Sequence, residues 1–215
     1  MTNEDRPLLI YGAGGFAREV DWLIESSPSI DKCACFIKDD AKPNEILQDK
    51  PVYTLDEAST RYPNAQLVIG IGNPATRNIL VKKSLEKNLK FRAIVHDTVM
   101  IHKSTEIGTG SIICAGNLIM PNVSIGQQVQ INLDCTIGHD ARVGDYTTIS
   151  PGVHISGNVD IGEGVFIGTG ANIIQGTSES PLHIADGTII AAGACITKPT
   201  VENGMYAGVP AVRKK

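Results

Sequence analysis

The chain has 215 residues, 42% of them hydrophobic and 20% charged, with a formal net charge of −4 at pH 7. It is long enough to bury one large core or two small ones, and its charge gives no reason to expect a nucleic-acid partner. The longest apolar run, IIAAGACI at 189–196, is too short to cross a bilayer. The opening MTNEDRP is polar and charged, so no secretory signal is expected. Cys33, Cys35, Cys114, Cys135 and Cys195 form no CxxC pair and no zinc-like group with histidine. A reduced, cytoplasmic protein without bound metal is expected.

In chain order, LLIYG (8–12) predicts a buried strand. FAREVDWLIESS (16–27) places Phe16, Val20, Leu23 and Ile24 on one face of a helix. Between them GAGGFA fits G-x-G-x-x-A through Gly12, Gly14 and Ala17, with Gly15 in the same loop. It follows a strand and opens a helix, the context a dinucleotide fingerprint requires. CACFI (33–37) predicts a second strand, LVIGIG (67–72) a third and FRAIV (91–95) a fourth. In the stretch after the third, Asn73 reads as an N-cap and Pro74 as the first helical residue. Strands alternating with helices give a small, Rossmann-like parallel α/β domain over residues 1–94. A half-size sheet has room for a mononucleotide rather than NAD. Asp39 or Asp40, ending the second strand, is placed for a ribose or a sugar. Asn73, at the carboxyl end of the third, sits where open α/β sheets bind ligands, and its capping role is an equally sufficient reason for it.

From Val95 to Ile173 every sixth residue is aliphatic, fourteen in succession. The register breaks once, across QGTSESPLH (175–183), and resumes at Ile184, Ile190 and Ile196. Four residues after nearly every aliphatic stands a small or β-branched residue, Asn117 being the exception, and glycine often follows the aliphatic directly. A hexapeptide period predicts a parallel β-helix over residues 95–215, with three short strands per coil of eighteen. Each coil bonds only to its neighbours, so the prism is stiff. His139 falls two residues after Ile137, at an outward step, with Pro121 and Gly157 eighteen residues to either side.

IGHDARVGDYTTISPGVHISGNVDIGEGVFIGTGANII resembles the hexapeptide-repeat acyltransferases, whose β-helices are left-handed. YGAGGFAREV, IGIGNPATR, the His139-Asp140 pair, SGNVDIG and YAGVPAVRKK together resemble the sialic acid O-acetyltransferase and bacillosamine N-acetyltransferase family, across essentially the whole chain. The resemblance implies a homotrimer that uses acetyl-CoA to acetylate a sugar, often a nucleotide-linked amino sugar for a bacterial surface glycan such as lipopolysaccharide O-antigen. Outward apolar residues such as Leu118, Leu133 and Phe166 are compatible with packing about a threefold axis. The GAGGFA loop then becomes a nucleotide-sugar grip.

In that reading His139 takes the proton shed by the attacking amine or hydroxyl, and no cysteine nucleophile is needed. Asp140 orients the imidazole, provided the pair lies at a corner, since neighbours within a strand point apart; the other reading is a solvated turn aspartate. Asn132 matches a family position near the sugar and is equally a plain turn residue. Thr148, expected at the substrate, stands where several relatives have a second histidine, and it can still donate a hydrogen bond. His154 is the substitute for that histidine or a surface residue. Gly157 and Ala192 match positions where backbone amides meet CoA, Ala192 being a departure from glycine. Lys198, Arg213, Lys214 and Lys215 are candidates for the CoA phosphates, the last two reading better as a frayed tail.

Three other functions keep a place. O-acetylation of sialic acid would use the same residues, while an amine acceptor, partly ammonium, would favour a higher pH optimum. A zinc enzyme like the γ-carbonic anhydrases needs three converging histidines, and His96, His102, His139, His154 and His183 contain no H-x-x-x-x-H pair. A non-enzymatic scaffold would tolerate loss of His139 and would have no use for the nucleotide grip.

Overall fold

The computed structural model describes residues 6–214, as an α/β sheet followed by a left-handed parallel β-helix. Residues 1–5 of the polar opening and Lys215 of the tail lie outside the described residues.

β1 (Leu8–Tyr11) is buried at every position. α1 (Gly15–Glu25) turns Ala17, Val20, Leu23 and Ile24 onto the sheet, while Phe16 is only partly buried. After β2 (Cys33–Ile37) comes a hairpin absent from the sequence reading, β3 (Ile46–Leu47) and β4 (Lys50–Tyr53). Its turn residues, Gln48 and Asp49, have φ of 45° and 59°, the primed-turn geometry that matches strand twist. α2 (Leu55–Arg61), also unread, is opened by a capping box between Thr54 and Glu57. β5 (Gln66–Ile69), α3 (Pro74–Glu86) and β6 (Lys90–Phe91) complete a sheet of order β3-β4-β2-β1-β5-β6. Only the β3–β4 pair is antiparallel. The order reverses between β1 and β5, so the crevice for a ligand opens beyond their carboxyl ends. There Gly12, at φ 129°, comes so near the opposite loop that a Cβ would stand 2.9 Å from the Gly70 carbonyl oxygen.

FRAIV is not one strand. β6 ends at Phe91 and pairs with β5, whereas Ile94–Val95 is the first strand of the β-helix. Three faces then repeat, face I from Ile94–Val95, face II from Met100–Ile101 and face III from Glu106–Ile107. Partners stack eighteen apart, Ile112 on Gln130, Thr136 on His154 and Ser124 on Arg142. From Ile113 to Ile196 the sixth-residue aliphatics and the apolar residues four places later merge into one core, while Ile101 of the first coil stays exposed. The tight turn of each corner falls on the second and third residues after the aliphatic. At 174–181 the chain leaves the corner between faces II and III, and it re-enters when Leu182 N–H donates to the Asn158 carbonyl at 3.0 Å.

The α/β part sits on face I, where α1 shares a core with Ile94, Ile112 and Cys114. Arg77 of α3, 0% exposed, fastens the two parts. Its guanidinium donates to the carbonyls of Ile71 and Gly72 in its own domain, and to those of Gln128, Tyr146 and Thr147 in the prism. It also donates to Gln130 Oε1 at 2.9 Å and Thr148 Oγ1 at 3.0 Å. No carboxylate pairs with it among the described residues, and burial lowers its pKa to about 9, so it remains a cation at neutral pH.

Candidate active site

The two-residue turn between Thr136–Ile137 on face II and Arg142–Val143 on face III is His139-Asp140. Asp140 takes φ 58°, a left-handed conformation that asparagine and aspartate tolerate. Sequence neighbours in extended chain diverge; here the corner folds one against the other. His139 Nδ1 lies 2.7 Å from Asp140 Oδ2. A carboxylate only accepts, so Nδ1 is the donor of this pair, which in the neutral imidazole leaves the lone pair on Nε2. Asp140 Oδ1 accepts from Asn122 Nδ2 at 3.0 Å. His139 first, and Asn122 second, hold the Asp140 carboxyl below its usual pKa.

Nε2 points along the edge at Gly157, one coil on. A Cβ built on Gly157 would fall 2.6 Å from Nε2 and 2.7 Å from Cε1. The glycine thus leaves vacant the space next to the basic nitrogen. Lys198, exposed, follows Cys195–Ile196 of face II and so stands on the same edge further along. Ala192 lies on the neighbouring corner, between faces I and II, where its amide nitrogen would be 2.5 Å from a Cβ on Gly168. Arg213 is exposed on the last strand, Val212–Arg213.

The other residues singled out by the sequence are not at this edge. Gly12, Gly14 and Gly15 form the loop between β1 and α1, and a Cβ on Gly14 or Gly15 would meet nothing within 4 Å. Asp39 accepts from the Tyr11 hydroxyl and pairs with Lys83 at 2.7 Å; Lys83, then Tyr11, lower its pKa. It borders a cleft of about 250 Å3 with Thr54, Asp56 and Lys87. Asp40 pairs with Lys38 at 3.4 Å. Asn73 caps α3, its Oδ1 accepting from Thr76 N–H at 2.9 Å. Asn132 turns its Nδ2 back onto the Ile149 carbonyl at 2.9 Å, a corner away from His139.

Thr148 requires a correction. It was expected at the substrate; it is 2% exposed under the α/β part, donating to the Gly72 carbonyl at 2.6 Å and accepting from Arg77. An outward position on a bare prism is wet, but here a second domain covers it. His154 is exposed on face II and lies 3.0 Å from Thr136 Oγ1. Among the described residues no group of three or more His, Cys, Asp or Glu side chains could hold a metal ion.

Two family models match the chain, the PglD N-terminal domain over residues 7–84 and the bacterial transferase hexapeptide (six repeats) over 140–175. No curated protein sequence matches it. Among solved structures, WeeI from Acinetobacter baumannii is 32% identical, covering 97% of this chain and 99% of that one, with a TM-score of 0.89. The chain belongs to the hexapeptide-repeat sugar acetyltransferases. The acetyltransferase domain of PglB from Neisseria gonorrhoeae is similar at 26% identity, over 97% of this chain and 100% of that one, with a TM-score of 0.85. PerB from Caulobacter crescentus, solved in complex with CoA and GDP-perosamine, is similar at 25% identity, over 98% of each chain, with a TM-score of 0.87.

In this acetyltransferase the His139–Asp140 pair lies on the edge opposite face I, while the glycine-rich crevice belongs to the domain that covers face I. One chain therefore holds these two features apart. Sequence reasoning missed Asn122 and Arg77. The first was legible, since eighteen residues separate it from Asp140. The second was not, because nothing local to α3 tells which of its cations turns inward.

Proposed function

We propose that the enzyme transfers the acetyl group of acetyl-CoA to the amino group of a nucleotide-linked amino sugar, a 4-amino-4,6-dideoxy sugar being the expected class. The observation that carries this reading is the His139–Asp140 pair, with its free Nε2 aimed at the space beside Gly157. The neutral amine attacks the thioester carbonyl, and Nε2 removes a proton from the nitrogen as the N–C bond forms. Asp140 stabilises the resulting imidazolium. The tetrahedral adduct expels the CoA thiolate, and the imidazolium returns the proton to sulfur. Gly157 and Ala192 lend backbone to the CoA arm, and Lys198 and Arg213 take its phosphates.

Residues 1–94 act as the nucleotide-sugar domain and 95–215 as the transfer domain. Gly12, Gly14 and Gly15 accommodate the phosphates, with Asp39 and Asn73 bordering the crevice. A homotrimer unites the halves, one subunit's crevice meeting another's His139. Support comes from face II, whose outward row Met100, Leu118, Thr136, His154, Asn172 and Cys195 has no charged side chain, unlike Glu106, Arg142 and Asp160 on face III. The setting we propose is cytoplasmic synthesis of a bacterial surface glycan. No helix among the described residues is long and apolar enough to cross a membrane.

The test is thiol release from acetyl-CoA with UDP-, dTDP- and GDP-linked 4-amino sugars and with sialic acid, in wild type and His139→Ala. Turnover with one amino sugar, lost in the variant, is the expected result. Turnover with sialic acid alone would move the reaction to O-acetylation, and equal turnover in the variant would remove His139 as base.

A further inference from the structure

Positions 104, 122 and 140 are the same corner step in successive coils, and a line of hydrogen bonds runs along them to the base, through the Asn122 backbone at its first link and through side chains after it. Ser104 Oγ accepts the Asn122 N–H at 2.8 Å, Asn122 Nδ2 donates to Asp140 Oδ1 at 3.0 Å, and Asp140 Oδ2 meets His139 Nδ1 at 2.7 Å. Asn122 and Asp140 share a left-handed backbone, φ 61° and 58°, and their side chains meet one above the other along the edge.

We propose that Asn122 is a positioning residue of the transfer site, holding the Asp140 carboxylate in the one orientation that presents an oxygen to His139. The proposal rests on His139 being the base. The reasoning is geometric. An exposed carboxylate rotates about its last torsion with little preference, and each orientation that turns away from Nδ1 lets the imidazole swing. An amide donor on the far oxygen removes that freedom, and as a donor it favours the ionised form that an imidazolium needs beside it. Asn122 is itself exposed and touches neither core. Its donor is therefore not needed to fill space. The plain alternative is that asparagine stands there only because the turn needs positive φ.

Two variants separate these roles. Asn122→Gly keeps the turn and removes the amide. Asn122→Asp keeps the shape and replaces a donor with an acceptor, setting two carboxylates together. On the coils adjoining Asn122 the titratable groups of this edge are His102 and Lys103 before it and His139 and Asp140 after it, with Glu179 and Lys198 further along; Asn122→Asp adds one negative charge to that set. The expected results are kcat lower by about tenfold in Asn122→Gly, a fraction of the roughly 10²–10⁴-fold that a placed base supplies. The KM for acetyl-CoA and the melting temperature stay at wild-type values. In Asn122→Asp the acid limb of the kcat/KM profile moves to higher pH, because an added negative charge favours the imidazolium.

His139→Ala is measured alongside. Wild-type kcat and an unmoved acid limb in the Asn122 variants, with His139→Ala inactive, would leave Asn122 a turn residue and the base reading intact. An active His139→Ala would overturn both. Loss of kcat accompanied by an equal fall in melting temperature would also overturn the positioning role.

Discussion

Gly157→Ala is the sharpest single probe of the edge. The new methyl would stand 2.6 Å from His139 Nε2, 2.7 Å from Cε1 and 2.9 Å from Cδ2, where ordinary contact begins at 3.4 Å. Something must yield by at least 3.4 − 2.6 = 0.8 Å. The coil is pinned on both sides of the contact, by Asn158 N–H on the His139 carbonyl at 2.9 Å and Gly138 N–H on the Ile155 carbonyl at 2.8 Å. The imidazole, half-exposed and free at one end, is what gives. Gly157 is not among the glycines with positive φ, so alanine adds no backbone strain there. With a ring displaced by about 1 Å and a methyl in the space proposed above for the thioester, kcat is expected to fall by about 100-fold. Thermal unfolding should stay within about 2 °C of wild type. The assay pairs thiol release with differential scanning calorimetry on one preparation. Wild-type turnover would refute the placement of the reaction beside Nε2. A large drop in melting temperature would show that the coil, not the ring, had moved.

Arg77→Met keeps the length of the side chain and strips donors from buried carbonyls of Gln128, Tyr146 and Thr147. Urea unfolding should show a loss of about 3 kcal/mol, and a loss under about 1 kcal/mol would mean that these carbonyls find other partners. The thiols make a second, independent check. Burial pushes Cys35 and Cys114 up to about 12 and Cys135 to about 11, while Cys195 alone is partly exposed. Brief alkylation of the native protein, read by peptide mass, should mark Cys195 first. Modification of Cys114 or Cys135 at a similar rate would contradict the packing of the prism.

The prism was legible because its core repeats. One inward aliphatic every six residues fixes strand and face together, so Ile137 places His139 at an outward step; that His139 and Asp140 share the corner turn is seen only in the structure. The α/β part was legible only where strands run longest. Ile46–Tyr53 is a hairpin made by its Gln48–Asp49 turn, without an apolar alternation to announce it. FRAIV reads as one apolar strand although two sheets share it, because periodicity cannot show that Phe91 and Ile94 bond to different neighbours. Thr148 misled for a related reason. Its step on the repeat is outward, and what lies outward of it is decided by Arg77 and Gly72, seventy or more residues earlier.

The excursion at 174–181 has a bearing on how such chains diversify. Ile173 and Ile184 are eleven residues apart where the repeat allows six, so five extra residues have been absorbed with no loss of register above them. Lengthening a strand would have misaligned every later coil; lengthening a corner misaligns none. The coil beyond the bulge stacks as if nothing had been added, with Ile161 on Ile184 and Ile173 on Ile196. A corner on the same edge as His139 is therefore a place where segments can be grafted or trimmed while His139 and Asp140 stay where they are, on an unchanged frame.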